Sequence, residues 1–114
     1  MITITAPSRY KLNKKLLKEK AQTYLHGYEV LDSANLNIIF TGKRKMFALS
    51  SQYKHEHVAL PVLTFPYNPT QTESLLGEIF ICYPQAILLA AERQKKVDVM
   101  IVKLIEHGID NLFK

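Results

Sequence analysis

Apolar and polar residues alternate over Ile2–Thr5, the period of a strand with one buried face, and Pro7 ends the run. The period then changes. Leu17, Ala21, Tyr24, Leu25 and Tyr28 fall at helical spacing with lysines between them, Asn13 stands where an N-cap is needed, and Gly27 lies near the end. A second apolar run, Leu36–Thr41, is closed by Gly42. Met46, Phe47, Leu49 and Ser50 then predict a short helix over Lys43–Tyr53. Val58–Phe65 is rich in β-formers but contains Pro61, which cannot donate to a ladder, so this run is expected at a sheet edge or around a bulge. Tyr67–Ser74 is a polar loop with turn residues.

Leu75–Tyr83 is the strongest strand, because Ile79, Phe80, Ile81 and Cys82 form an unbroken apolar run that predicts burial on both faces. Pro84 suits the first turn of a helix, where its missing N–H costs nothing. Helical spacing runs through Ile87, Leu88 and Ala91. It resumes after Arg93–Lys96 through Val97, Met100, Ile101, Leu104 and Ile105, with Gly108 expected as a C-terminal cap glycine. Helical crossovers favour parallel pairing of the early strands, and the short loop before the last strand favours an antiparallel partner there. The fold class expected is α/β (α+β), a small mixed four-stranded sheet with helices packed on it, in one domain over residues 1–114.

Composition narrows the function classes. The 114 residues are 47% hydrophobic and 22% charged, close to the globular average, and no apolar run approaches the ~20 residues that cross a bilayer. The first ten residues lack a cationic and then apolar leader pattern. One cysteine, Cys82, makes neither an internal disulfide nor a cysteine-cluster zinc site. A soluble cytoplasmic domain with no membrane partner is the expectation. The net charge of +5 is uneven: residues 1–54 hold ten Lys/Arg against three Asp/Glu, and residues 55–114 hold five against seven. A basic half suggests a polyanionic partner such as RNA, approached by Lys43, Arg44, Lys45, Lys54 and the lysine face of the first helix. The plainer alternative is that Lys11, Lys14, Lys15, Lys18 and Lys20 form a solvated helix face.

Few residues suggest catalysis. There is no phosphate-cradling glycine loop, and Ser50-Ser51 has no acid-oriented histidine near it in the sequence. His55 and His57 would share one face of a strand and reach a metal, unless they lie in an exposed loop. His26, beside Gly27, suits a helix C-terminus, and so does His107 beside Gly108.

Two segments carry more information together than either does alone. Leu76–Ala86 (LGEIFICYPQA) and Leu104–Leu112 (LIEHGIDNL) resemble the strand-to-helix junction and the histidine-glycine helix of the YbeY family of ribosomal RNA maturation endoribonucleases. Leu63-Thr64-Phe65-Pro66 resembles that family's Leu-Ser-Phe-Pro strand end, and Leu49–Lys54 its Leu-Asn-x-x-Tyr-Arg helix. The likeness runs over nearly the whole chain in element order.

What the resemblance implies is a zinc-dependent hydrolase that cuts single-stranded RNA, works in ribosomal RNA maturation and ribosome quality control, and meets ribosomal RNA and ribosomal proteins. The family's zinc is held by His-Gly-x-x-His and a third, later histidine. His107 matches the first ligand, Asn111 occupies the second position, and the third would fall past Lys114. Lys54 stands at the family's catalytic arginine, and Leu60-Pro61 replaces its Thr-Asp. A catalytic zinc needs about three protein ligands and an open position for water. With His107 alone matched, Asp110, His55 and His57 are the substitute ligands to consider. The alternative implied is a degenerate relative, or a chain lacking its last, metal-binding segment, that binds RNA or a ribosomal partner without cutting.

Overall fold

The computed structural model describes residues 1–30, 33–67 and 75–114. Four strands and four helices follow in the order β1 (Ile2–Thr5), α1 (Lys14–His26), β2 (Asn35–Thr41), α2 (Lys43–Lys54), β3 (Val62–Pro66), β4 (Leu75–Cys82), α3 (Tyr83–Glu92) and α4 (Val97–Leu112). The sheet order is β1-β2-β4-β3. β1, β2 and β4 are parallel, and β3 runs antiparallel to β4. The mixed four-stranded sheet and its helices match the expected α/β class. Apart from Tyr67, the expected polar loop lies outside the described residues.

Alternation along each strand sends side chains to two unlike faces. Ile2, Ile4, Leu36, Ile38, Phe40, Ile79 and Ile81 meet the stripes of α1, α3 and α4 in the main core. α4 supplies most of that cover through Met100, Ile101, Leu104, Ile105 and Ile109, an i, i+3/i+4 pattern that presents one face to the sheet. On the other face α2 inserts Met46 against Leu63 and Cys82, with Leu49, Phe65 and Phe80 around it. The Asn13 side chain accepts the Leu16 N–H at 3.1 Å, which caps α1 as its position in the sequence predicts.

Three expectations are corrected. The strand expected at Val58–Phe65 is only Val62–Pro66. Pro61 precedes it and gives its carbonyl to the Cys82 N–H at 3.0 Å, and β3 does lie at the sheet edge. Phe80 is half-buried rather than enclosed on both sides, because a single helix, α2, packs over that part of the second face. Gly108 does not end a helix, since α4 runs on to Leu112. It sits where α4 crosses β4, and a Cβ there would come within 2.7 Å of Ile79 Cγ2. Gly77 serves a similar need, because a Cβ would meet the Phe65 carbonyl oxygen at 2.5 Å and Leu112 Cδ2 at 2.7 Å. Both glycines let α4 and β3 close on β4. His107, one residue before Gly108, is therefore an interior position of α4 and not a helix-terminal imidazole.

Candidate functional site

The edge strand β3 organises the site. α4 passes on one side of it and the end of α2 on the other, and the Thr64 hydroxyl donates to the Gly108 carbonyl at 3.1 Å, fixing strand to helix. Ser50, fully buried in α2, accepts the Leu60 N–H at 3.3 Å, and the Gln85 amide donates to the Ala59 carbonyl at 2.8 Å. These bonds hold the segment between α2 and β3 against the body of the protein.

Two open cavities flank the strand and share Val62. One, of about 460 Å³, is lined by Lys54, Glu56, Thr64, Asn111 and Lys114 among others. The other, of about 380 Å³, is lined by Val62, Leu89, Arg93, Lys103 and His107. The fold thus brings Lys54 and Asn111 to one cavity and sets His107 one helical turn away over the next. Cations predominate: Lys54 and Lys114 in the first, Arg93 and Lys103 in the second, against the single acid Glu56.

The remaining sequence candidates lie elsewhere. His55 and His57 are not in a strand. His55 is the left-handed C-cap of α2 (φ 57°), its backbone N–H and that of Glu56 returning to the Ser50 carbonyl, and both imidazoles are exposed in the following loop. Asp110 is engaged with α1 instead. It accepts the Tyr24 hydroxyl at 2.8 Å and also the Tyr28 hydroxyl, tying α4 to α1. The Tyr28 bond leads in holding the Asp110 carboxyl below its ordinary value, and in return Tyr28 is pushed up to about 12 by the carboxylate it donates to. His26 ends α1 with its ring 3.2 Å from the Gln22 amide. Burial raises the Cys82 thiol, which therefore stays protonated and inert.

Lys43, Arg44 and Lys45 are exposed on the first turn of α2, and Lys45 Nζ stands 5.7 Å from the centre of the Phe80 ring. The α1 lysines are exposed too, but α1 and α2 lie on opposite faces of the sheet, so the two basic groups form no single patch.

The donor set does not fit the zinc that the resemblance implies. Among the described residues no group of three His, Cys, Asp or Glu stands close enough to hold a metal ion. His107 shares its cavity with Arg93 and Lys103, and Asn111 shares its own with Lys54 and Lys114, cations that repel a divalent metal and attract phosphate. Sequence reasoning missed Lys114, Arg93 and Lys103 because only the packing of α4 on β3 gathers them there. It also missed Thr64 as a strand-to-helix tie.

A parallel β1-β2-β4 core, an antiparallel β3 edge and helices on both faces define a class of small α/β proteins. Within that class the chain belongs to the YbeY family: residues 3–112 match the family described as Endoribonuclease YbeY. It is 27% identical over 88 residues to the Endoribonuclease YbeY of Phytoplasma australiense, covering 74% of this chain and 61% of that protein. It is 32% identical over 87 residues to that of Alteromonas mediterranea, covering 75% and 55%. The chain thus spans roughly half to three-fifths of the length of these curated relatives. Its fold is also that of the solution structure of TM1509 from Thermotoga maritima, with a TM-score of 0.64, 24% identity, and coverage of 96% of this chain and 69% of the other. No helix among the described residues is long and apolar enough to cross a membrane.

Proposed function

We propose that this chain is a single YbeY-like domain over residues 1–114 that binds single-stranded RNA, ribosomal RNA foremost, along the cation-lined β3 edge. In this reading its described residues do so without assembling a catalytic zinc. The observation that carries the proposal is the pair of cavities flanking β3, where Lys54, Lys114, Arg93 and Lys103 outnumber one carboxylate. Such an edge offers phosphates ion pairing from both sides, and Asn111 adds an amide that both donates and accepts. Lys54 meets a phosphate as a point charge and lacks the bidentate fork of the arginine it stands for. Membership of a family named for endoribonuclease activity makes RNA the natural polyanion. A cytoplasmic location and ribosomal proteins as neighbours belong to the same reading.

A second reading, metal-dependent cleavage of that RNA, is favoured by the family match and by His107-Gly108 at the family's ligand motif. One experiment separates the two. The purified chain is mixed with an unstructured ribosomal RNA fragment, with chelator or with added zinc, and binding, strand integrity and metal content are followed together. The proposal expects a retained, intact strand in both conditions. Zinc-dependent cutting with about one zinc bound per chain would establish the second reading, and neither retention nor cutting of RNA in either condition would overturn both.

A further inference from the structure

The face of the sheet that carries α2 holds an unusual group of rings beside the β3 edge. Tyr53 from α2, Phe65 and Tyr67 from β3 and its exit, and Phe80 from β4 line an open cavity of about 290 Å³ with Leu49 and Glu78. Tyr53 meets Phe65 edge-to-face at 5.0 Å between ring centres, and Phe65 meets Phe80 the same way at 5.6 Å. Tyr53 is 53% exposed and Tyr67 42%, so two large rings face water where a merely solvated surface would be polar. The Lys45 ammonium stands over Phe80, and the Tyr67 hydroxyl donates to Glu78.

Charge and shape select the occupant. Lys45 of the first turn of α2 reaches the Phe80 ring and Lys54 follows Tyr53 at the end of the same helix, so cations are available beside the rings. The cavity holds one acid, Glu78, whose carboxylate is engaged by Tyr67 and would repel a phosphate placed directly above it. An uncharged flat ring carried on an anionic backbone satisfies both conditions: the ring stacks in the cavity while its phosphates rest on the flanking cations. At about 290 Å³ the space lies at the small end of ligand sites, which run from ~300 Å³ upward, and suits a single base.

We propose that this aromatic cavity stacks an unpaired nucleobase of a single-stranded RNA whose backbone crosses the β3 edge. The proposal rests on the RNA-binding reading above and adds a base-contacting site to it. Bases are reached because single strands expose their ring faces, and the contact tolerates different bases since every base has such a face.

The test measures binding of a labelled oligouridylate by fluorescence anisotropy over a range of salt, using the wild-type chain, Tyr53→Ala and Tyr53→Phe, with circular dichroism to verify folding. A matching strand carrying abasic sites keeps the phosphates and removes the bases. The expected result is that Tyr53→Ala weakens binding about tenfold with an unchanged salt slope, while Tyr53→Phe keeps the wild-type affinity. The abasic strand should bind the wild-type chain about as weakly as the intact strand binds Tyr53→Ala. Equal affinity of the wild-type chain for the abasic and intact strands would overturn the base-stacking site and leave RNA binding standing, as would an unaffected Tyr53→Ala. Failure of the wild-type chain to bind any strand at low salt would overturn both.

Discussion

Gly108→Ala probes the closest approach in the structure. Position 108 lies inside α4, where alanine ordinarily improves helix stability by about 0.8–1 kcal/mol over glycine. Here the new Cβ would lie 2.7 Å from Ile79 Cγ2, 3.1 Å from its Cδ1 and 3.3 Å from its Cγ1, well inside the ~3.5–4.0 Å of ordinary carbon contact. Cγ2 is fixed on a branched Cβ in the middle of β4, so it cannot swing aside. Overpacking of this kind costs about 1–3 kcal/mol, which equals or exceeds the helical gain and leaves a net loss of about 0–2 kcal/mol. The assay is urea unfolding followed by circular dichroism, repeated in an Ile79→Ala background with an osmolyte to keep that background folded. Without the Ile79 γ carbons the sign should reverse, and Gly108→Ala should stabilise by about 0.5–1 kcal/mol. A stabilising Gly108→Ala in the wild-type chain, or a double-mutant cycle with no coupling between positions 79 and 108, would refute the close crossing of α4 over β4.

Other consequences follow from the same structure. Phe80→Ala should cost about 1–3 kcal/mol, less than the 3–5 typical of an enclosed phenylalanine, and less than Ile79→Ala, as urea titration would show. Asp110 is held below its ordinary pKa in the folded chain, so its stabilising effect is complete above the unfolded carboxylate value of about 3.9 and fades as pH falls through the folded value. Asp110→Asn should accordingly lower stability at neutral pH and remove part of the acid dependence below pH ~4, seen in melting temperatures recorded against pH. Asn111→His should place a second imidazole one helical turn from His107 and raise zinc affinity only modestly, because two ligands leave a tetrahedral site half built. Elemental analysis of the purified variant would measure that, and a full equivalent of tightly held zinc would contradict it.

Much of the architecture was legible in local patterns. The alternation of Ile2–Thr5, the Asn13 cap and the apolar run ending at Cys82 are short-range signals, and each produced the expected element. Where expectation failed, long-range packing decided. Gly108 has the sequence signature of a cap, and only its contact with Ile79 makes glycine necessary within the helix. Phe80 sits in an apolar run, yet its burial depends on how much of the second face α2 covers, which no local period encodes. Of the site, the histidine-glycine and Leu-Thr-Phe-Pro motifs were readable by likeness to a family, but the cation-lined edge was not. Lys54, Arg93, Lys103 and Lys114 are scattered along the chain and converge only because α4 crosses beside β3. The aromatic cavity was half-legible, since period-two alternation puts Leu63 with Phe65, and Glu78 with Phe80, on the same face.

The salt dependence of single-stranded RNA binding tests the central claim most directly. Each phosphate neutralised contributes about −0.7 to the slope of log affinity against log salt. The wild-type chain should therefore lose affinity steeply as salt rises, and replacing Lys54, Arg93 and Lys103 together by glutamine should flatten the slope by about 2 while leaving the melting temperature close to wild type. An affinity indifferent to salt, or a slope that survives the triple replacement, would contradict an RNA path along the β3 edge.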